Sequence, residues 1–120
     1  MTKISLVTLV TGRQAASREA AIARLLQNEC KTALILEGLP TGSNTFFEQQ
    51  ANLTLVRIAP GCLCCTGNLT LRVNLNRLLR QTPDHIFISL ANDTHLEQLR
   101  QFLASPPYDK LLQLNDTIST

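Results

Sequence analysis

Four short apolar runs, interleaved with segments of helical spacing, constrain this chain more than any other feature. Lys3 to Val10, Thr32 to Leu36 and His85 to Leu90 are near-continuous in Val, Ile, Leu and Thr, while Leu53 to Ile58 alternates Leu53, Leu55 and Arg57 with Thr54, Val56 and Ile58. Such runs read as strands, and continuous ones as strands buried on both faces. Between and after them stand Ile22, Leu25 and Leu26, then Leu71, Leu75, Leu78 and Leu79, then Leu96, Leu99, Phe102 and Leu103, each set on one helical face. Pro83 and Pro106-Pro107 close the second and third helices, and Leu39 to Gln50, with Pro40, Gly42, Ser43 and Asn44, reads as a loop. The order β-α-β-β-α-β-α predicts a three-layer α/β fold around a mostly parallel sheet, with ligands at the carboxyl ends of the strands. The tail, Leu111 to Thr120, either adds an edge strand or frays. A chain of 120 residues, 44% of them hydrophobic, supports one core, so residues 1–120 are expected to form a single domain.

Composition removes several classes of function. The 11 Lys and Arg against 9 Asp and Glu give a net charge of +2 with no basic run, and aromatic residues are 4% with no Trp. Neither the electrostatic footprint nor the stacking platform of a nucleic-acid binder is present. No apolar stretch approaches the ~20 residues of a membrane span. The first ten residues lack the layout of a signal peptide, and the expectation is a soluble, cytoplasmic protein.

The first strand runs into Thr11-Gly12 and then a helix, which is where a phosphate-binding loop would sit. Against the pattern GxxxxGK[ST], Gly12 matches, but Ser17 stands for the second Gly, Arg18 for Lys and Glu19 for the magnesium-binding hydroxyl. Ser17 would strain a loop that needs a freely rotating residue, and Glu19 would set a carboxylate against phosphates. Arg18 keeps the charge, but a planar fork does not replace a compact ammonium. The fourth strand ends in Ser89 where a metal-directed carboxylate is wanted, and Asp93, four residues on, reads as a helix-start residue. Hydrolysis of a nucleotide is not expected.

The sharpest chemical signal is Gly61-Cys62-Leu63-Cys64-Cys65. Cys62, Cys64 and Cys65 lie within one turn, after a strand and before a helix whose amino end, capped by Thr66 or Asn68, would favour thiolates. Three thiolates can converge on one soft ion such as Zn²⁺, with a fourth ligand from Glu37 at the end of the second strand, from His95, or from water. Two other readings stand beside this one: redox chemistry at the C-x-x-C formed by Cys62 and Cys65, and small side chains packing a tight loop. Cys30, at the far end of the first helix, is expected on the opposite edge of the sheet as an inert buried thiol. His85 is expected as a partly exposed edge residue.

Taken in order, Val10-Thr11-Gly12, Leu36-Glu37-Gly38 and Gly61 to Thr66 resemble the GTPase domain of the CobW-type metallochaperones, relatives of the nickel-insertion GTPases of urease and hydrogenase. The likeness covers most of the chain and is nearly letter for letter at the cysteines. It fails at the loop, where Ala15, Ser17, Arg18 and Glu19 replace Gly, Gly, Lys and Thr, and after the fourth strand, where Ser89 and Asn92 replace Glu and Gly. No counterpart of the family's guanine-recognition motif or carboxy-terminal domain is found. The resemblance implies a truncated P-loop NTPase-like fold and a metal role for Cys62, Cys64 and Cys65, with Zn, or Co or Ni, as the ion. It does not extend GTP binding to this chain. The expected function is zinc binding in metal homeostasis or delivery. The alternative is a pseudo-GTPase interaction module, pairing with itself or with a full-length relative, with structural thiols; a residual GTP-binding protein is a third. An open sheet edge in so short a chain further predicts a homodimer or a protein partner covering it, with no nucleic acid and no membrane among the partners.

Overall fold

In a computed structural model, residues 4–26, 30–37, 52–58, 69–91, 94 and 96–120 are described. The expected order of elements is found: β1 (Ser5–Thr11), α1 (Ala15–Leu25), β2 (Thr32–Glu37), β3 (Leu53–Ile58), α2 (Leu69–Leu79), β4 (His85–Leu90) and α3 (Leu96–Leu103). The tail adds two short strands, β5 (Leu112–Leu114) and β6 (Ile118–Ser119), after a turn of 3-10 helix at Tyr108–Lys110. The strands lie in the order β3-β2-β4-β1-β5, with β6 also on β1, and each pairing is parallel.

Strand periodicity sorts the side chains onto two faces. Val7, Leu9, Ala33, Ile35, Ile58, Ile86, Ile88 and Leu90 point to one face, where they pack with Leu71, Leu75 and Leu78 of α2 and with Leu99 and Leu103 of α3. Val10, Leu34, Leu36 and Phe87 point to the other, under Ile22 of α1. Helices therefore cover both faces, and each fully buried Leu of α2 contributes roughly 1.5–3 kcal/mol. The helical face expected of α1 needs one correction: Leu25 is 44% exposed, and the buried positions are Arg18, Glu19 and Ile22. His85 is also re-placed, half-buried at the start of a central strand between Leu6 and Thr32 rather than at an edge.

Crossover handedness explains the layering. The chain moves from β1 over β4 to β2 by way of α1, and in the opposite direction from β4 over β1 to β5 by way of α3. Right-handed crossovers running in opposite directions must use opposite faces. The connections thus part at β1 and β4, and a crevice opens beyond their carboxyl ends, where open α/β sheets bind ligands.

Candidate functional site

The crevice is a cleft of about 640 Å³ lined by Thr11, Gly12, Arg13, Gln14, Ser17, Ala91, Ser119 and Thr120. These residues supply hydroxyls, amides and one guanidinium, and no carboxylate, imidazole or lysine. The tail crowds the turn, because Thr120 donates from its amide (2.8 Å) and its hydroxyl (2.9 Å) to the carbonyl of Thr11. A Cβ on Gly12 would meet the Thr120 Oγ1 at 2.0 Å, so any larger residue must displace the tail.

Arg18 and Glu19, the two residues that break the phosphate-loop pattern, both face the sheet. The register brings Arg57 of β3, Leu36 of β2, Ser89 of β4 and Val10 of β1 into one transverse row on the face covered by α1. Arg18, 1% exposed, lies over the middle of that row. Its Nε donates to Ser89 Oγ at 2.6 Å, its Nη1 to the carbonyl of Gly12 and its Nη2 to the carbonyl of Glu37. One guanidinium thereby joins the carboxyl ends of β1, β2 and β4. Burial pulls the proton affinity of Arg18 below its ordinary value, and the nearby carboxylates of Glu37 and then Glu19 push it back up.

Glu19, 2% exposed, takes a two-pronged bond from Arg57, with both nitrogen-oxygen distances at 3.1 Å. Fork-to-carboxylate geometry of this kind is the strongest form of the pairing. Glu37, also 2% exposed, accepts the Ala91 amide on Oε1 at 2.6 Å.

Several expectations are revised here. Ser17 does not strain a loop, since α1 begins at Ala15 and Ser17 lies within it. Glu19 does not confront the cleft, because its carboxylate is turned to β3. Cys30 lies at the amino edge, just before β2, as expected, but it is half-buried rather than buried. Cys62, Cys64, Cys65, His95, Asn92, Asp93 and the expected caps Thr66 and Asn68 lie outside the described residues. Among the described residues, no group of three or more His, Cys, Asp or Glu is placed to hold a metal ion, and no helix is long and apolar enough to cross a membrane.

The Arg18 and Glu19 networks are absent from the motif reading. The signal that would have found them is the spacing of Arg18, Glu19 and Ile22 at i, i+1 and i+4, which sets two charges on the inward face of α1 and so requires buried partners.

Comparison with known proteins agrees with this architecture. Residues 6–118 match the CobW/HypB/UreG nucleotide-binding domain. The chain is 30% identical over 115 residues to the zinc chaperone YeiR of Escherichia coli (strain K12), an alignment covering 92% of this chain and 35% of that relative. No solved structure matches.

Proposed function

The chain belongs to the CobW/HypB/UreG family of nucleotide-binding domains, and on that premise we propose that it binds a transition-metal ion, zinc first, through Cys62, Cys64 and Cys65, without hydrolysing a nucleotide. The observation that carries the reading is the thiol triplet four residues beyond the end of β3. Three thiolates suit a borderline-soft ion such as Zn²⁺, and Co²⁺ or Ni²⁺ less well. The likeness to a zinc chaperone supports the choice of ion. The role that follows is metal holding or delivery in the cytoplasm, with zinc as cargo.

The nucleotide half of the reading has its own support. A phosphate loop needs its cation and its hydroxyl directed at the ligand. Here the cation is consumed by Gly12, Glu37 and Ser89, and the replacement for the hydroxyl is consumed by Arg57. The fourth metal ligand comes from Glu37, His95, water or a second chain, and a Glu37 ligand would have its carboxylate oriented by the Ala91 amide.

Titration of the fully reduced protein with Zn²⁺ against a chromophoric chelator tests the proposal. One tight equivalent per chain is expected, lost when Cys62, Cys64 and Cys65 are all changed to Ser. Half an equivalent would place one ion between two chains. Absent binding, or binding that survives in the triple variant, would remove the metal reading.

A partner-binding reading is favoured by one observation: β3, six residues long, stands at the end of the described sheet. Unpaired strand edges recruit further strands. This reading predicts a dimer by light scattering that persists unchanged in the triple Ser variant.

A further inference from the structure

The partners of Arg18 come from three different strand ends. Its three donor groups reach three different strand exits: the carbonyl of Gly12 just past β1, the carbonyl of Glu37 at the end of β2, and the hydroxyl of Ser89 next to the end of β4. These exits flank the crevice at which the crossover connections part. The backbone ladder ties these exits only in neighbouring pairs, β1 to β4 up to the bond from the Gly12 amide to the Leu90 carbonyl and β4 to β2 up to Ser89 and Leu36, whereas Arg18 reaches all three at once. A guanidinium with five donors in a fixed fork is the side chain best suited to hold three acceptors at set angles.

We propose that Arg18 is a positioning residue that holds the exits of β1, β2 and β4 in one arrangement with no ligand in the crevice, doing from within the chain what a ligand bound there would otherwise do. Its effect passes through Glu37. With the Glu37 carbonyl anchored on Arg18, the Glu37 carboxylate is held on the Ala91 amide, and β2 is latched to the segment after β4. Glu19 and Arg57 extend the same row to β3, whose last residue precedes the cysteine segment in sequence. The carboxyl edge is therefore set permanently rather than on demand. Its consequence for metal handling, a zinc affinity insensitive to nucleotide, rests on the reading of Cys62, Cys64 and Cys65 above; the latch itself does not.

Hydrogen exchange followed residue by residue tests the latch without any metal. Arg18→Ala leaves a guanidinium-shaped hole. The amides of Ala91 and Gly12, at the carboxyl edge, are expected to exchange about tenfold faster or more. The amide of Leu6, bonded at the amino edge to the carbonyl of Asp84, is expected to change far less. Methylguanidinium in the millimolar range should restore protection at Ala91 and Gly12, and urea at the same concentration should not. Uniform acceleration across all three amides, or no rescue, would overturn the proposal, as would unchanged exchange at Ala91.

Should Arg18→Ala fail to fold, Arg18→Lys serves instead. It keeps the charge and loses the fork, and it should speed exchange at Ala91 and Gly12 selectively; uniform acceleration again contradicts the latch. The triple Ser variant of Cys62, Cys64 and Cys65 is expected to leave all three amides as in the wild type, so loss of zinc binding and loss of the latch are separately visible.

Discussion

The two faces of the sheet are built on different physics. Under α2 and α3 the contacts are mainly apolar, from Val7 and Leu9 through Ile86 and Ile88 to Leu71, Leu75 and Leu78, with the Tyr108 hydroxyl on Asn76 and Arg72 over the Phe102 ring beside them. Under α1 the apolar cluster shrinks to Val10, Ile22, Leu34, Leu36 and Phe87, and Arg18, Glu19, Arg57 and Ser89 complete the contact through charge and hydrogen bonds. The first face can be read as a scaffold. The second retains polar positions where a ligand site would be, and has turned them inward upon each other.

The contrast shows that a departure from the phosphate-loop pattern need not leave a hole or an unpaired charge. An Arg in place of Lys and a Glu in place of Thr would each be costly alone beneath a helix. Matched with Ser89 and Arg57, they become cross-links between strands.

The contrast can be broken most forcefully at Arg18. Arg18→Met leaves the carbonyls of Gly12 and Glu37 without their donor and removes the charge facing Glu37, and is expected to cost about 3–5 kcal/mol in denaturant unfolding. On the opposite face, Leu75→Ala should cost about 3 kcal/mol through a cavity alone, with no change in salt dependence. Next comes the Glu19 and Arg57 pair. Glu19→Gln is expected to cost about 1–3 kcal/mol, since Arg57 keeps some access to water, and a double-mutant cycle with Arg57→Met should recover part of that loss as coupling. The smallest effect is expected at Gly12. Gly12→Ala must displace Thr120, and fraying of β6 limits the loss to about 1 kcal/mol while shifting the amide resonances of Ser119 and Thr120.

Much of the fold is legible in the order of residues because each strand is a local signal. Runs such as Ile86 to Leu90 need no partner to be recognised, and Pro83 and Pro106 mark the helix ends by their own chemistry. The tail is not decidable that way, for β5 has three residues and β6 two, too few to carry a period. Its strands exist because β1 offers an unpaired edge. The cross-links are illegible for another reason: Ser89 lies 71 positions from Arg18 and Arg57 lies 38 from Glu19. A motif scan weighs Arg18 and Glu19 against the phosphate-loop pattern, whereas the folded chain weighs them against strands brought near by topology. The metal role proposed for Cys62, Cys64 and Cys65 is the opposite case, since it rests on their spacing in the sequence and they lie outside the described residues.

The proposed function pairs an internal ion network at the position of the phosphate loop with a metal role for the thiol triplet. Its most direct test is calorimetric titration of the zinc-loaded wild-type protein with GTP and Mg²⁺. The account predicts no saturable binding and no change in melting temperature, because the cation and the side chain replacing the magnesium hydroxyl are already bonded within the protein. Binding of one nucleotide per chain would contradict it, and would mean that Arg18 and Glu19 exchange their internal partners for the ligand.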